Sequence, residues 1–137
     1  MTTATTPVRE GLFRATDEGP TLLASRCASC GRTAFPAKPT CLACGAADPA
    51  VVELGAEGSL LCGTTVHMGN SRFQPGYTVG YVTMPHDVRV FTQIQALGGE
   101  VPPAGTTMRL ELVPMWKEGD DDVVAHRFVP AEEVRDA

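Results

Sequence analysis

The chain has 137 residues, with 16 acidic against 11 basic side chains and a net charge of −5 at pH 7. That length supports one core, or one domain with a small appendage. The acidic balance argues against a general nucleic-acid binder, whose affinity comes largely from a basic surface, and no apolar run approaches the roughly 18 residues of a membrane-spanning helix.

In chain order, the opening MTTATTPVREG has neither the basic start nor the apolar stretch of a secretory signal. The expected setting is therefore a reducing cytoplasm, where paired cysteines hold metal more often than they form disulfides. TPVREGLFRATDEG predicts a short helix within residues 1–20. Thr6 caps it, Pro7 suits its first position, and Val8, Leu12 and Ala15 share a face. Gly19 and Pro20 end the run. Gly11 weakens such a helix by about 1 kcal/mol relative to alanine, so it needs a surface to dock on. TLLASRC then predicts a strand leading into the first cysteine pair.

CASCGRTAFPAKPTCLACG, residues 27–45, carries four of the five cysteines. Each Cys-x-x-Cys, Cys27/Cys30 and Cys41/Cys44, lets two thiolates reach one cation from a single turn. The following Gly31 and Gly45 suit a positive φ that aims amides at sulfur. Two such turns complete a tetrahedral site with metal–sulfur bonds of about 2.3 Å for zinc. A disulfide framework or a thioredoxin-like redox motif fits this doubled spacing poorly. Iron uses the same four thiolates, as in a rubredoxin. The short connector and the absence of any electron-transfer signature favour zinc. Four sulfurs leave no open coordination position, so the metal is structural. Its binding is worth on the order of 10 kcal/mol and holds a loop-rich segment folded.

Beyond residue 50 the pattern changes to period two. SLLCGTTVHM places Leu60, Cys62, Thr64, Val66 and Met68 on one face; VRVFTQIQAL does the same with Val88, Val90, Thr92, Ile94 and Ala96. YTVGYVTM, TMRLELVP and VVAHRFVP supply three more strands. GNSRFQPG, PHD, GGEVPPAG and KEGDDD mark the turns between them. Five strands at this length predict a small antiparallel OB-fold barrel, with Gly63 and Gly80 easing its bends. The expected division is an N-terminal helix over 1–20, a zinc ribbon over 21–50 and the barrel over 51–137.

The order of these parts, LL-x-x-x-CASCG, FPAKPTCLACG, a glycine before a β-rich segment and a closing HRFVP, resembles a known family. It is the zinc-ribbon plus OB-fold family of acyl-CoA-associated proteins, known as a domain of unknown function. The likeness runs from about Glu10 to Pro130. Cys27, Cys30, Cys41 and Cys44 fill the family's metal positions. Gly76-Tyr77 stands where many relatives have Pro-Tyr. The resemblance implies a chain that is no enzyme on its own. It implies an accessory subunit of a thiolase-like or lipid-transfer-protein-like enzyme in an acyl-CoA thiolase, acyltransferase or aldolase complex, assembled as a heterotetramer.

The residues themselves offer little independent catalysis. Cys62 is expected buried and inert on the apolar face of its strand. It lies five residues from His67, so the two point to opposite faces. His86 and His126 are solitary, His86 in a turn beside Asp87 and His126 in alternation with Val124 and Phe128. GDDD reads as a solvated hairpin tip. A CoA thioester carries phosphates, so cations at a lip would help hold it. Arg32, Lys38 and Arg72, with the stiff apolar surface of Phe35 and Pro36, are the expected acyl-CoA or partner contacts. The competing readings are a nucleic-acid-binding ribbon/OB module and a rubredoxin-like electron carrier.

Overall fold

The computed structural model describes residues 5–8, 11–69, 73–96 and 100–131. Among these there are ten strands. They are β1 (Thr5–Pro7), β2 (Phe13–Thr16), β3 (Gly19–Arg26), β4 (Thr33–Ala34), β5 (Ala50–Gly55), β6 (Glu57–Val66), β7 (Tyr77–Met84), β8 (Val88–Ile94), β9 (Thr107–Glu118) and β10 (Asp121–Pro130).

The last five strands fall where the alternating pattern predicts them, and they close into a barrel. β6 pairs β7, β7 pairs β8, β8 pairs β10, β10 pairs β9, and β9 returns to β6. Numbered within the barrel, the order is 1-2-3-5-4-1, with the third and fifth strands parallel. That is OB-fold topology. Period-two alternation sets the inside: Thr78, Val82 and Met84 from β7 and Val88, Val90, Thr92 and Ile94 from β8 are buried. Phe128 of β10 and Met108 of β9 are wholly enclosed among them.

β2, β4 and β5 pair with β3 in a second sheet. Leu22, Ala24 and Leu54 from this sheet belong to the same core cluster as Leu60, Val90, Met108 and Phe128 of the barrel. Burying one leucine fully is worth about 1.5–3 kcal/mol, so this shared core fixes the cysteine-bearing sheet to the barrel.

Two sequence expectations change here. The expected N-terminal helix is not formed. Thr5–Pro7 instead runs parallel to β10, pairing with Asp122–Val124. Phe13–Thr16 makes a hairpin with Gly19–Leu22, turning at Asp17–Glu18, and the Thr16 hydroxyl donates to the Gly19 carbonyl at 2.7 Å. The unpaired edges of β10 and β3 need hydrogen-bond partners, and that demand outweighs a weak local helical preference. The second change is Cys62, which is exposed. A β-bulge between Leu60 and Cys62 shifts the β6–β7 register, so Leu60 still points inward while Cys62 turns out.

Candidate metal centre and the pocket beside it

Two matching turns build the centre. The Gly31 amide donates to the Cys27 carbonyl at 2.8 Å, and the Gly45 amide to the Cys41 carbonyl at 2.9 Å. Both glycines take positive φ, +79° and +82°, the conformation L side chains disfavour. Each turn is closed by a second bond, from Cys27 N to Arg32 O and from Cys41 N to Ala46 O, both 2.9 Å. β3 delivers the first turn, and β4 returns against Ser25 and Arg26. A bridge between Thr40 and Ala47 ties off the second.

The four Sγ atoms lie within 4.8 Å of one another. Cys27 and Cys44 are 3.5 Å apart and Cys30 and Cys41 3.6 Å. A tetrahedron with zinc–sulfur bonds of about 2.3 Å has edges of roughly 3.8 Å, so the cage fits a zinc ion. Its electrostatics also call for a cation. The Cys30 amide leads in lowering Cys27, to about 6, against the opposing effect of burial. The Cys44 and Ala43 amides lower Cys41. At Cys44 the Ala46 amide favours the thiolate, but the Cys27 thiol, burial and the other two thiols outweigh it and raise the group to about 11. Crowded thiolates cannot all ionise alone; a divalent ion removes the conflict and lets all four coordinate. Cys27, Cys30, Cys41 and Cys44 would hold zinc as a closed tetrathiolate brace.

A pocket of about 320 Å³ opens beside this cage. Its walls are Ser25, Cys27, Arg32, Thr33, Ala34, Lys38, Thr40, Cys41, Leu42, Ala43 and Pro49. Arg32 and Lys38, singled out from the sequence, both line it. No acidic side chain does so among the described residues. The Ser25 hydroxyl accepts the Lys38 amide at 3.0 Å and pins the connector to β3. Sequence reasoning missed the hydroxyls of Ser25, Thr33 and Thr40, which only folding brings together. It also missed Leu42, 80% exposed at the rim, whose signal was an apolar residue inside a metal turn.

Phe35 has a different position. It packs against the shared core and meets His126 edge-on, with ring centroids 5.9 Å apart. Phe13 approaches the same imidazole at 6.3 Å. His126 therefore joins the cysteine-bearing sheet to β10. Pro36 is half-buried, and Arg72 lies outside the described residues.

Fold and centre together define a zinc-ribbon protein with an OB-type barrel. Residues 20–50 match the ChsH2 rubredoxin-like zinc ribbon domain. The chain is 30% identical over 80 residues to subunit BbsA of benzoylsuccinyl-CoA thiolase from Thauera aromatica. That match covers 58% of this chain and 56% of the relative, so it spans little more than half of either. Among solved structures, a chain of the Ltp2-ChsH2(DUF35) aldolase superposes with a TM-score of 0.65 and 26% identity, covering 81% of this chain and 85% of that one. A DUF35-family protein of unknown function from Sulfolobus solfataricus aligns at 12% identity with a TM-score of 0.49, covering 78% of this chain and 75% of that one. The matches bear out the resemblance to the zinc-ribbon plus OB-fold, or DUF35, acyl-CoA-associated family.

Proposed function

We propose that this chain is a non-catalytic zinc-ribbon subunit that associates with a thiolase-like or lipid-transfer-protein-like enzyme and helps form its acyl-CoA site. The ribbon, over about residues 21–50, braces the site. The barrel, over about residues 51–137, carries the partner contact. The observation that carries this reading is the pocket shared by the metal turns and the connector. A closed tetrathiolate has no position for a substrate atom, so the ion builds walls and performs no chemistry. Arg32 and Lys38 concentrate positive charge in a chain of net charge −5. Such a spot suits the phosphates of coenzyme A, with hydroxyls from Thr33 and Thr40 as further donors. Two relatives support the enzyme class: one is a subunit of a CoA-thioester thiolase and the other belongs to an aldolase.

The test is co-expression with the thiolase-like subunit from the same genome, followed by kinetics on the purified complex. A stable complex is expected. Its Arg32→Ala, Lys38→Ala variant keeps zinc and assembly but shows a raised KM for the acyl-CoA. An unchanged KM removes this pocket from the substrate path. A large subunit fully active and stable without this chain overturns the reading.

A further inference from the structure

The geometry points to the outward face of β7 and β8 as the surface on which the partner enzyme docks, through an apolar patch that presents a carboxylate to Arg89. This inference rests on the partner-subunit reading above and gives it a location.

The distribution of aromatic rings is the first observation. Phe73, Tyr77, Phe91 and Trp116 line one shallow pocket of about 340 Å³. Tyr81 extends that wall, with its ring centroid 5.3 Å from that of Phe91. These are five of the chain's eight aromatic side chains, counted from five Phe, two Tyr and one Trp. Barrel packing does not require them there. The inward positions of β7 and β8 hold Thr78, Val82, Met84, Val88, Val90 and Ile94, all buried. Phe91 is 58% exposed, Tyr81 42% and Leu61, beside them at the β6 bulge, 43%. Aromatic residues clustered on a soluble surface are the composition of a protein interface core. β7 and β8 are also the second and third strands of the barrel, the face that OB folds commonly offer to their ligands.

Charge identifies the occupant. No charged side chain lines the aromatic pocket among the described residues. Among the described residues, Arg89 stands at its margin. Arg89 lies two positions before Phe91 on the same face of β8, exposed and with no ion pair among the described residues. Arg89 beside a broad patch with no charged lining among the described residues fits a protein surface that is apolar at its centre with an acidic residue at the edge. A polyanion would be held mainly by a cluster of cations, and the pocket lining among the described residues is uncharged.

The test compares binding of the co-expressed thiolase-like subunit by purified zinc-loaded variants. Phe91→Glu and Tyr81→Glu should each weaken the complex at least tenfold. Arg89→Glu should weaken it severalfold and flatten its dependence on salt, because the attractive pair that salt screens is gone. Val51→Glu, a change at an exposed apolar position of β5, should leave it intact. Zinc content and melting curves check that each variant is folded. As a measurement needing no variant, alkylation of exposed Cys62, paired across the ladder with Tyr81, should slow severalfold when the wild-type complex forms. A wild-type complex that all three face variants and the Cys62 footprint leave untouched overturns this docking face while the subunit reading stands. Failure of the wild-type chain to bind any thiolase-like or lipid-transfer-protein-like subunit of its genome overturns both. A homodimer that Phe91→Glu dissolves, or a single-stranded oligonucleotide held on this face, also overturns the inference.

Discussion

His126 stands edge-on to Phe35, with ring centroids 5.9 Å apart and planes at 90°. One ring comes from the barrel's last strand and the other from the connector between the two metal turns. The imidazole Nδ1 is buried with no hydrogen-bond partner among the described residues. Burial lowers the pKa of His126 below its ordinary value of 6.5. Charging the ring would leave a buried N–H without an acceptor. The unfolded chain therefore binds more protons than the folded one in the window below pH 6.5. Stability is full above that pH and falls as pH drops toward the lowered folded value. Thermal melts between pH 7.5 and 5 should show this loss in the wild type. A His126→Phe variant, which keeps an aromatic wedge without a titrating group, should show less of it. Parallel pH profiles for the two proteins would remove His126 from the account.

The metal centre and the barrel are expected to unfold together. Leu22, Ala24 and Leu54 of the cysteine-bearing sheet share one core with Leu60, Val90 and Phe128. Chelation removes binding energy on the order of 10 kcal/mol from the ribbon. The shared core should carry that loss into the barrel, lowering the melting temperature of the whole chain in one transition. Elemental analysis should find one zinc per chain, and Cys27→Ser should abolish it. A barrel that melts at an unchanged temperature after zinc removal would show that the two parts are energetically separate.

Gly58 tests barrel packing. A Cβ there would lie 2.6 Å from Met84 Sδ and from Val82 Cγ1, and 2.7 Å from the Thr83 carbonyl oxygen. Gly58→Ala should cost about 1–3 kcal/mol through overpacking. Denaturant titration reads this directly, and an equally stable variant would mean that β6 and β7 separate easily.

Arg32 and Lys38 face one pocket. Each charge-assisted contact to a phosphate contributes about 1.5–3 kcal/mol when formed. The double alanine variant should therefore raise the KM of the complex by at least tenfold while kcat changes little. Raising the ionic strength should weaken wild-type substrate binding more than that of the variant.

The tetrathiolate site was legible in the sequence because a local rule builds it. Cys-x-x-Cys-Gly specifies its own turn, and two copies close to each other specify the cage. The five barrel strands were legible for a similar reason, since period-two alternation records which side chains enter a core. Register was less accessible. One bulge at Leu61 exposes Cys62 against the simple alternation. The segment around Val8, Leu12 and Ala15 satisfied a helical period, yet Thr5–Pro7 before it and Phe13–Thr16, which takes in Ala15, became strands.

By itself, then, the sequence determined the metal ligands, the fold class and the order of ribbon and barrel. Each is written in residue types at short spacing. Tertiary structure decided the N-terminal strands, the seating of Phe35 on His126, the gathering of Arg32 and Lys38 around one pocket and the outward wall of aromatics. These depend on free strand edges and on contacts between residues far apart in the chain. Energies of that kind are settled only when the distant partner arrives.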